Sequence, residues 1–387
     1  MQKTPRWKSR LLSLAAASMV AGPAIAAEPG ITKDKIVIGA FMPLQGGLAA
    51  GANQMRDGAD AYFQEQNAKG GINGRKIEWR VENDSYNPQQ TIAVTKKLVD
   101  RDGVFAIVST LGTATGLAVL PFLAQRKVPL INPAGGHALL NDPKDANVFG
   151  LLPLGPANGT VIANYALDKM QAKRIAVFFQ NDQFGQDPRD GVNEVLKARG
   201  MTTVAEASYV PSDIDVSAQV IKLRDANPDV VVIAAIPKQG ALFLQEAAKL
   251  GWKPKFIGLN TMGDPYTGEL AGSSIDGVTV AIFTAVDTMP NEKVQEANKV
   301  ILKYHPNTKP GYWTYLGYAG AAVFAEGAKI AGPELTREKL IAAIETMGDF
   351  QTGVVPPLSF GPGKHGGSNK FGIAQWQNGK LVVLEGW

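Results

Sequence analysis

The feature that most constrains this chain is a set of strand-length apolar runs with no inside–outside alternation. Lys35 to Met42 reads KIVIGAFM, and Asp229 to Ala235 reads DVVVIAA. A sheet with one wet face would alternate polar and apolar residues. A nearly continuous run fits a parallel sheet covered by helices on both faces. Between these runs lie stretches with helical spacing. Met55, Ala59, Tyr62 and Phe63 stand at i, i+4, i+7 and i+8, which places them on one face of a helix.

The alternation can be followed along the chain. Lys69 to Gly74 breaks the first helix, Ile77 to Val81 is a strand, and Pro88 to Arg101 is a helix with Asn87 as its cap and proline at its first position. Phe105–Val108, Thr113–Ala124 and Val128–Ile131 continue as strand, helix and strand. After a Gly/Pro-rich segment from Gly150 to Gly159 the rhythm restarts. Arg174–Phe179, Thr202–Tyr209, Asp229–Ala235 and Lys255–Leu259 read as strands, separated by helices over Gln186–Arg199, Val216–Ala226 and Gln239–Leu250. Two successive runs of βα units predict an α/β protein with two parallel-sheet, Rossmann-like lobes. From about Asn291 three helices follow (Glu292–Lys303, Trp313–Ala331, Thr336–Thr346) with no strands of their own. They must cover a sheet already built, so the chain returns to the first lobe. A hairpin, Phe371–Trp376 and Leu381–Leu384 around Asn378-Gly379, ends it.

The first 26 residues read as an export signal. Lys3, Arg6, Lys8 and Arg10 precede an apolar stretch from Leu11 to Val20 and a small-residue cleavage pattern at Ala24-Ile25-Ala26. The stretch is about half the roughly 20 residues needed to span a bilayer. Those four basic residues account for the whole excess of 39 Lys and Arg over 35 Asp and Glu. The chain from residue 27 onward is therefore balanced in charge and offers no basic stripe for nucleic acid. Its 361 residues, 27 to 387, suit two domains. With 0 cysteines there is neither a disulfide framework nor thiol chemistry. The 3 histidines, His137, His305 and His365, have no metal-ligand spacing, and neither a phosphate-binding Gly-Lys loop nor a nucleophile elbow is present, so an enzyme is not expected and no cofactor is implied.

Five segments carry a resemblance. They are Gly70-Gly71-Ile72-Asn73-Gly74-Arg75-Lys76-Ile77-Glu78, Asp84 to Thr91 with Asn87-Pro88, Val128-Pro129-Leu130-Ile131-Asn132-Pro133-Ala134, Asn181-Asp182-Gln183-Phe184-Gly185-Gln186, and Asn227-Pro228-Asp229-Val230-Val231. In this order and spacing the chain resembles the type I periplasmic binding proteins of branched-chain amino acid ABC transporters, the Leu/Ile/Val-binding group. The resemblance implies two lobes joined by three crossovers, near Leu152–Gly155, Ile282–Val286 and Pro357–Gly361. The lobes would comprise residues 27–153 with 285–358, and 154–284 with 359–387. It further implies a monomer that closes over a small carboxylate such as an amino acid and docks on an inner-membrane permease driven by ATP-hydrolysing subunits. A ligand-sensing domain of a signalling system would use the same two lobes.

Ligands of open parallel sheets bind beyond the carboxyl ends of strands, on helix N-termini. Ser109 to Gly116 follows a strand and opens a helix, so Thr113 and Ala114 are candidates for a ligand carboxylate, with N-capping by Thr113 as the structural alternative. Ala134-Gly135-Gly136-His137 ends the next strand. By the resemblance this loop offers backbone groups and a hydroxyl residue, whose place Gly136 takes, leaving the contact to His137 or water. Phe184 stands where the family places a stacking Tyr, and Ile236 where it often has an aromatic. Asn260 stands where amino acid binders carry the acid that neutralises the ligand ammonium; Asp182 or Asp264 are the possible substitutes. Absent an acid, the ligand would be an aromatic or aliphatic carboxylate, or an amide. The loop Gln45 to Ala52 holds only Leu48 and small residues at the cleft mouth, which predicts room for a bulky ligand.

Overall fold

β1 (Lys35–Met42), fully buried from Ile36 onward, lies between β2 (Lys76–Asn83) and β3 (Ile107–Leu111). With β4 (Leu130–Ala134) and β5 (Val148–Phe149) it forms a five-stranded, all-parallel sheet of order β2-β1-β3-β4-β5. The computed structural model describes residues 1–2, 28–141, 147–286, 288–289 and 291–387. The export signal expected over residues 1–26 lies outside these, apart from its first two residues. Crossovers in the first lobe run through α1 (Ala49–Ala68), α2 (Pro88–Lys96), α3 (Thr113–Gln125) and the short α4 (Ala138–Asn141). Asn87 caps α2 as expected, accepting from the Gln90 amide at 3.0 Å with Pro88 at the first position. A widened turn, Lys97–Arg101, carries that helix to its anticipated end.

The chain then enters α5 (Gly155–Asp168) and builds a second sheet from β6 (Ile175–Gln180), β7 (Ala205–Tyr209), β8 (Val230–Ala234), β9 (Lys255–Gly258) and β10 (Thr279–Ile282). Helices α6 (Gln183–Ala198), α7 (Ser217–Asp225), α8 (Pro237–Lys249) and α9 (Pro265–Ala271) link them. α10 (Glu292–Tyr304), α11 (Tyr312–Ala331) and α12 (Arg337–Ile344) follow. α11 packs on α1 and on β3 and β4, which returns the chain to the first lobe. The hairpin β11 (Gly372–Gln377) and β12 (Lys380–Glu385) joins the second sheet antiparallel to β10, completing the order β12-β11-β10-β9-β8-β6-β7. Its two-residue turn has positive φ at both Asn378 (51°) and Gly379 (73°), the conformation an Asn-Gly hairpin turn requires. The fold is thus α/β with two Rossmann-like lobes and three crossovers.

Among the elements that escape the sequence pattern are α5 and β10. α5 begins within the Gly/Pro-rich segment that reads as a linker. Its Gly159 is there because α5 and α6 touch backbone to backbone: a Cβ on Gly159 would strike the Pro188 carbonyl, and one on Gly191 of α6 would strike that of Pro156. The same device joins α1 to α11, through Gly58 against Thr314 and Gly317 against Met55. These glycines resemble helix breakers in sequence but serve close packing. β10 is only four residues long and polar at its start, which hides it.

The third passage between lobes also falls later than Pro357–Gly361. Leu358 and Phe360 pack in the first lobe's core, Gly367 donates to the Gly150 carbonyl (2.9 Å), and His365 bonds the Val148 carbonyl (3.0 Å) while stacking on Phe149 at 4.1 Å. The crossing follows Gly367. His365, 2 % exposed, ties this strap to β5 and Glu345 and is structural.

Candidate ligand-binding cleft

The carboxyl ends of both sheets face each other across one cavity of about 620 Å³, counting the space open at its mouth. On the first-lobe side β3 and β4 kink at the same level. Ser109 (φ 58°) and Asn132 (φ 55°) both adopt left-handed backbone, and the pairing of Val108 with Ile131 resumes at Thr110 with Pro133. Such geometry in non-glycine residues is costly and persists only where surroundings over-determine it. Here the Asn132 amide bonds Ser109 Oγ (3.3 Å) and the Leu316 carbonyl of α11 (2.9 Å). The kinks aim Leu111–Thr113 and Ala134–Gly136 into the cavity.

Gly112, at φ 127°, turns β3 into α3 without any side-chain cap. Thr113 is the first helical residue, so its hydroxyl does not cap the helix. It is 1 % exposed and its Oγ1 has no partner among the described residues. A helix start with free N–H groups beside an unpartnered hydroxyl suits an anion. On the second-lobe side, Asp182 caps α6: its carboxylate accepts from the Phe184 amide (3.0 Å) and from the Gln180 side chain (2.7 Å). That cap sets Phe184 on the first turn of α6, against the cavity. Ile236 is fixed by its amide, which donates to the Tyr209 hydroxyl at 2.9 Å. Asn260 lies in a tight turn after β9, where its Oδ1 accepts from the Thr261 amide (2.9 Å).

The profile of the family described as "Periplasmic binding protein" matches residues 35–380. The chain belongs to that family. Its curated relatives are named as Leu/Ile/Val-binding proteins. The Leu/Ile/Val-binding protein homolog 3 of Brucella melitensis is 26 % identical over 377 residues, 97 % of this chain and 99 % of that one. The Leu/Ile/Val-binding protein BraC3 of Rhizobium johnstonii is 25 % identical over 350 residues, 90 % and 94 % of the two chains. Among solved structures, a periplasmic substrate-binding protein of Ralstonia solanacearum superposes with a TM-score of 0.84 at 26 % identity, covering 90 % of this chain and 100 % of its own.

In this periplasmic binding protein, Thr113, Ala134, Gly135, Gly136, Phe184, Ile236 and Asn260 all line the cavity; Ala114 does not. Gly136 is where the first lobe meets the start of α5. Its carbonyl accepts from the Gly155 amide at 2.6 Å, and a Cβ on it would stand 3.2 Å from the Gly155 Cα. A hydroxyl side chain would have to displace that contact. His137 is not among the lining residues, and its Nδ1 accepts from the Leu139 amide. Neither Asp182 nor Asp264 lines the cavity. Asp264, at 1 % exposure, spends its oxygens on the Tyr266 amide (2.9 Å) and the Trp313 amide (3.5 Å). Burial pushes its carboxyl up to about 7, against the pull of those two amides. Burial also raises Asp182.

The lining residues missed in sequence include three aromatics. Tyr86, Tyr312 and Trp313 join Phe184 around the cavity, and Asn158 of α5 adds an amide. Tyr86 sits in a loop whose Ser85 and Tyr86 both have positive φ (52° and 57°), held by Asp84 accepting from the Tyr86 amide. Tyr312 and Trp313 open α11, with ring centroids 4.5 Å apart. The signal available for them is Gly311 followed by two aromatics at a helix start. Of the small residues in the Gln45–Ala52 loop, Gly51 admits protein, because a Cβ there would strike the Trp313 indole, whereas Gly46 meets nothing within 4 Å and Gly47 only the Pro211 carbonyl at 3.7 Å.

Proposed function

We propose that the chain is the solute receptor of an ABC importer. It binds a small carboxylate between its lobes and presents the loaded form to an inner-membrane permease. The observation carrying this reading is the start of α3, where an uncapped helix N-terminus and the unpartnered Thr113 hydroxyl stand at the wall of a cavity shared by both lobes. Family membership supports a periplasmic location, with residues 1–26 acting as the export signal and the mature protein acting as a monomer. Lobe boundaries follow the notion of one unit built on each sheet, with the last crossing after Gly367.

The relatives' names favour a branched-chain amino acid as the ligand, with the carboxylate at Thr113 and the side chain among Leu111, Ile236 and the aromatics. A second reading, a carboxylate or amide without an ammonium, is favoured by the neutral Asn260 and by the internal use of Asp182 and Asp264. Thermal unfolding against small carboxylates and their amides tests the common core. A micromolar binder of the folded state at millimolar concentration adds about 4 kcal/mol of stability. Carboxylates are expected to raise the unfolding temperature while amides of the same shape do not. A panel in which amides act as strongly as the acids would contradict the carboxylate site and leave only the amide form of the second reading. Delivery is tested with the reconstituted permease: loaded protein should stimulate ATP hydrolysis more than empty protein.

A further inference from the structure

We infer that the solute is an aryl or arylalkyl monocarboxylate without an ammonium group, an inference that rests on the carboxylate reading and names its substrate class. Three observations meet. The cavity wall contains no Asp, Glu, Lys, Arg or His among the described residues. Asp187 lies behind Gly155, which lines the cavity. A Cβ on Gly155 would stand 2.7 Å from the Asp187 Cβ; one carboxylate oxygen is bonded to Gln183, and the other is buried and unpartnered. Asp187 does not line the cavity.

The polar groups that do face the cavity are neutral. Among the lining residues, the unpartnered atoms besides Thr113 Oγ1 are Asn158 Oδ1, on a residue 6 % exposed, and Trp313 Nε1, which is turned to Gly51 of α1, where a Cβ would stand 2.7 Å from it. Thr113 and Asn158 offer one hydroxyl and one acceptor. That set complements a carboxylate and a neutral polar substituent such as a hydroxyl. It does not neutralise an ammonium, whose burial without an anion is expensive. The body of the ligand would lie among Tyr86, Phe184, Tyr312 and Trp313. Four aromatic side chains favour a flat ring, which gains offset-stacked or edge-to-face contacts beyond its buried area. A ring of aromatics can also hold a quaternary ammonium, so such a compound belongs in the test.

The experiment is titration calorimetry on protein unfolded and refolded to strip any bound solute, with matched pairs. These are 3-phenylpropanoate against phenylalanine and 4-methylpentanoate against leucine, with 3-phenylpropanamide and a trimethylammonium carboxylate alongside. Each amine-free acid is expected to bind at least about tenfold more tightly than its amino acid, and the phenyl acid more tightly than the branched one. Phenylalanine or leucine binding as tightly as its amine-free partner would overturn the inference and leave the receptor reading intact. So would preference for the trimethylammonium compound. The amide binding as tightly as the phenyl acid would instead remove the carboxylate reading. No heat from any member, on cooperatively folded protein, would overturn the substrate class. Asn260→Asp should shift the ratio within each pair toward the amino acid; an unchanged ratio would overturn the neutral-wall argument.

Discussion

The start of α3 in the first lobe and the starts of α6 and α9 in the second occupy equivalent places, each just beyond the carboxyl end of a strand. They differ by one residue. Gly112 brings no side chain to the first N–H groups of α3, so those groups have no side-chain cap and the Thr113 hydroxyl at the cavity wall has no partner among the described residues. Asp182 and Asp264 bring carboxylates that accept from the Phe184 and Tyr266 amides, so α6 and α9 are closed internally. A missing cap leaves N–H groups available to a ligand, whereas a present one closes the helix start internally. The comparison also explains the neutrality of the second-lobe wall: its acids are consumed as caps.

The largest expected effect tests the open end. Thr113→Val should weaken solute binding by about 1–3 kcal/mol, measured by calorimetry. It should leave the unfolding temperature of the empty protein unchanged or higher, because the lost hydroxyl has no partner. A drop in stability with no change in affinity would break the comparison. Next comes a closed end. Asp182→Ala should cost about 1 kcal/mol in denaturant unfolding, through the loss of the α6 cap.

Asp264 sharpens the contrast through pH. The folded chain holds this proton more tightly than the unfolded chain, since its carboxyl is raised to about 7 by burial. Its contribution is therefore most favourable at low pH and is lost as pH rises from the ordinary aspartate range towards 7. Asp264→Asn, which keeps a capping oxygen, should flatten the decline in stability over that window, followed by thermal unfolding at stepped pH. The smallest effect concerns the rim. Lys309 and Glu269 form an exposed ion pair between the loop before α11 and α9, and Lys309→Met should change the dissociation constant by less than about threefold.

Much of the architecture was legible because it rests on periodicity. The buried runs at Lys35–Met42 and Val230–Ala234, the helical return to the first sheet and the Asn378-Gly379 turn all follow from local chemistry. What was not legible depends on tertiary contact. Gly159 looks like a breaker until α6 lies against it, and the strap at His365 is held by β5 rather than by its own pattern. The cleft shows the same division. Thr113 stands in a strand-to-helix loop recognisable in sequence, whereas Gly136, Phe184 and Asn260 were marked by the family resemblance. Tyr86, Asn158, Tyr312 and Trp313 were not found, because they reach the cavity from a strained loop and from helices whose starts only the folded chain brings there. The paired kinks at Ser109 and Asn132 leave no trace in an apolar–polar pattern.

The most direct test of the account is a crystal structure of the protein with its tightest-binding carboxylate. The account predicts a carboxylate oxygen within hydrogen-bonding distance of Thr113 Oγ1 and the first amides of α3, with the rest of the ligand against Phe184 and Trp313. A carboxylate bound instead at the second-lobe wall, with Thr113 still unpartnered, would contradict it.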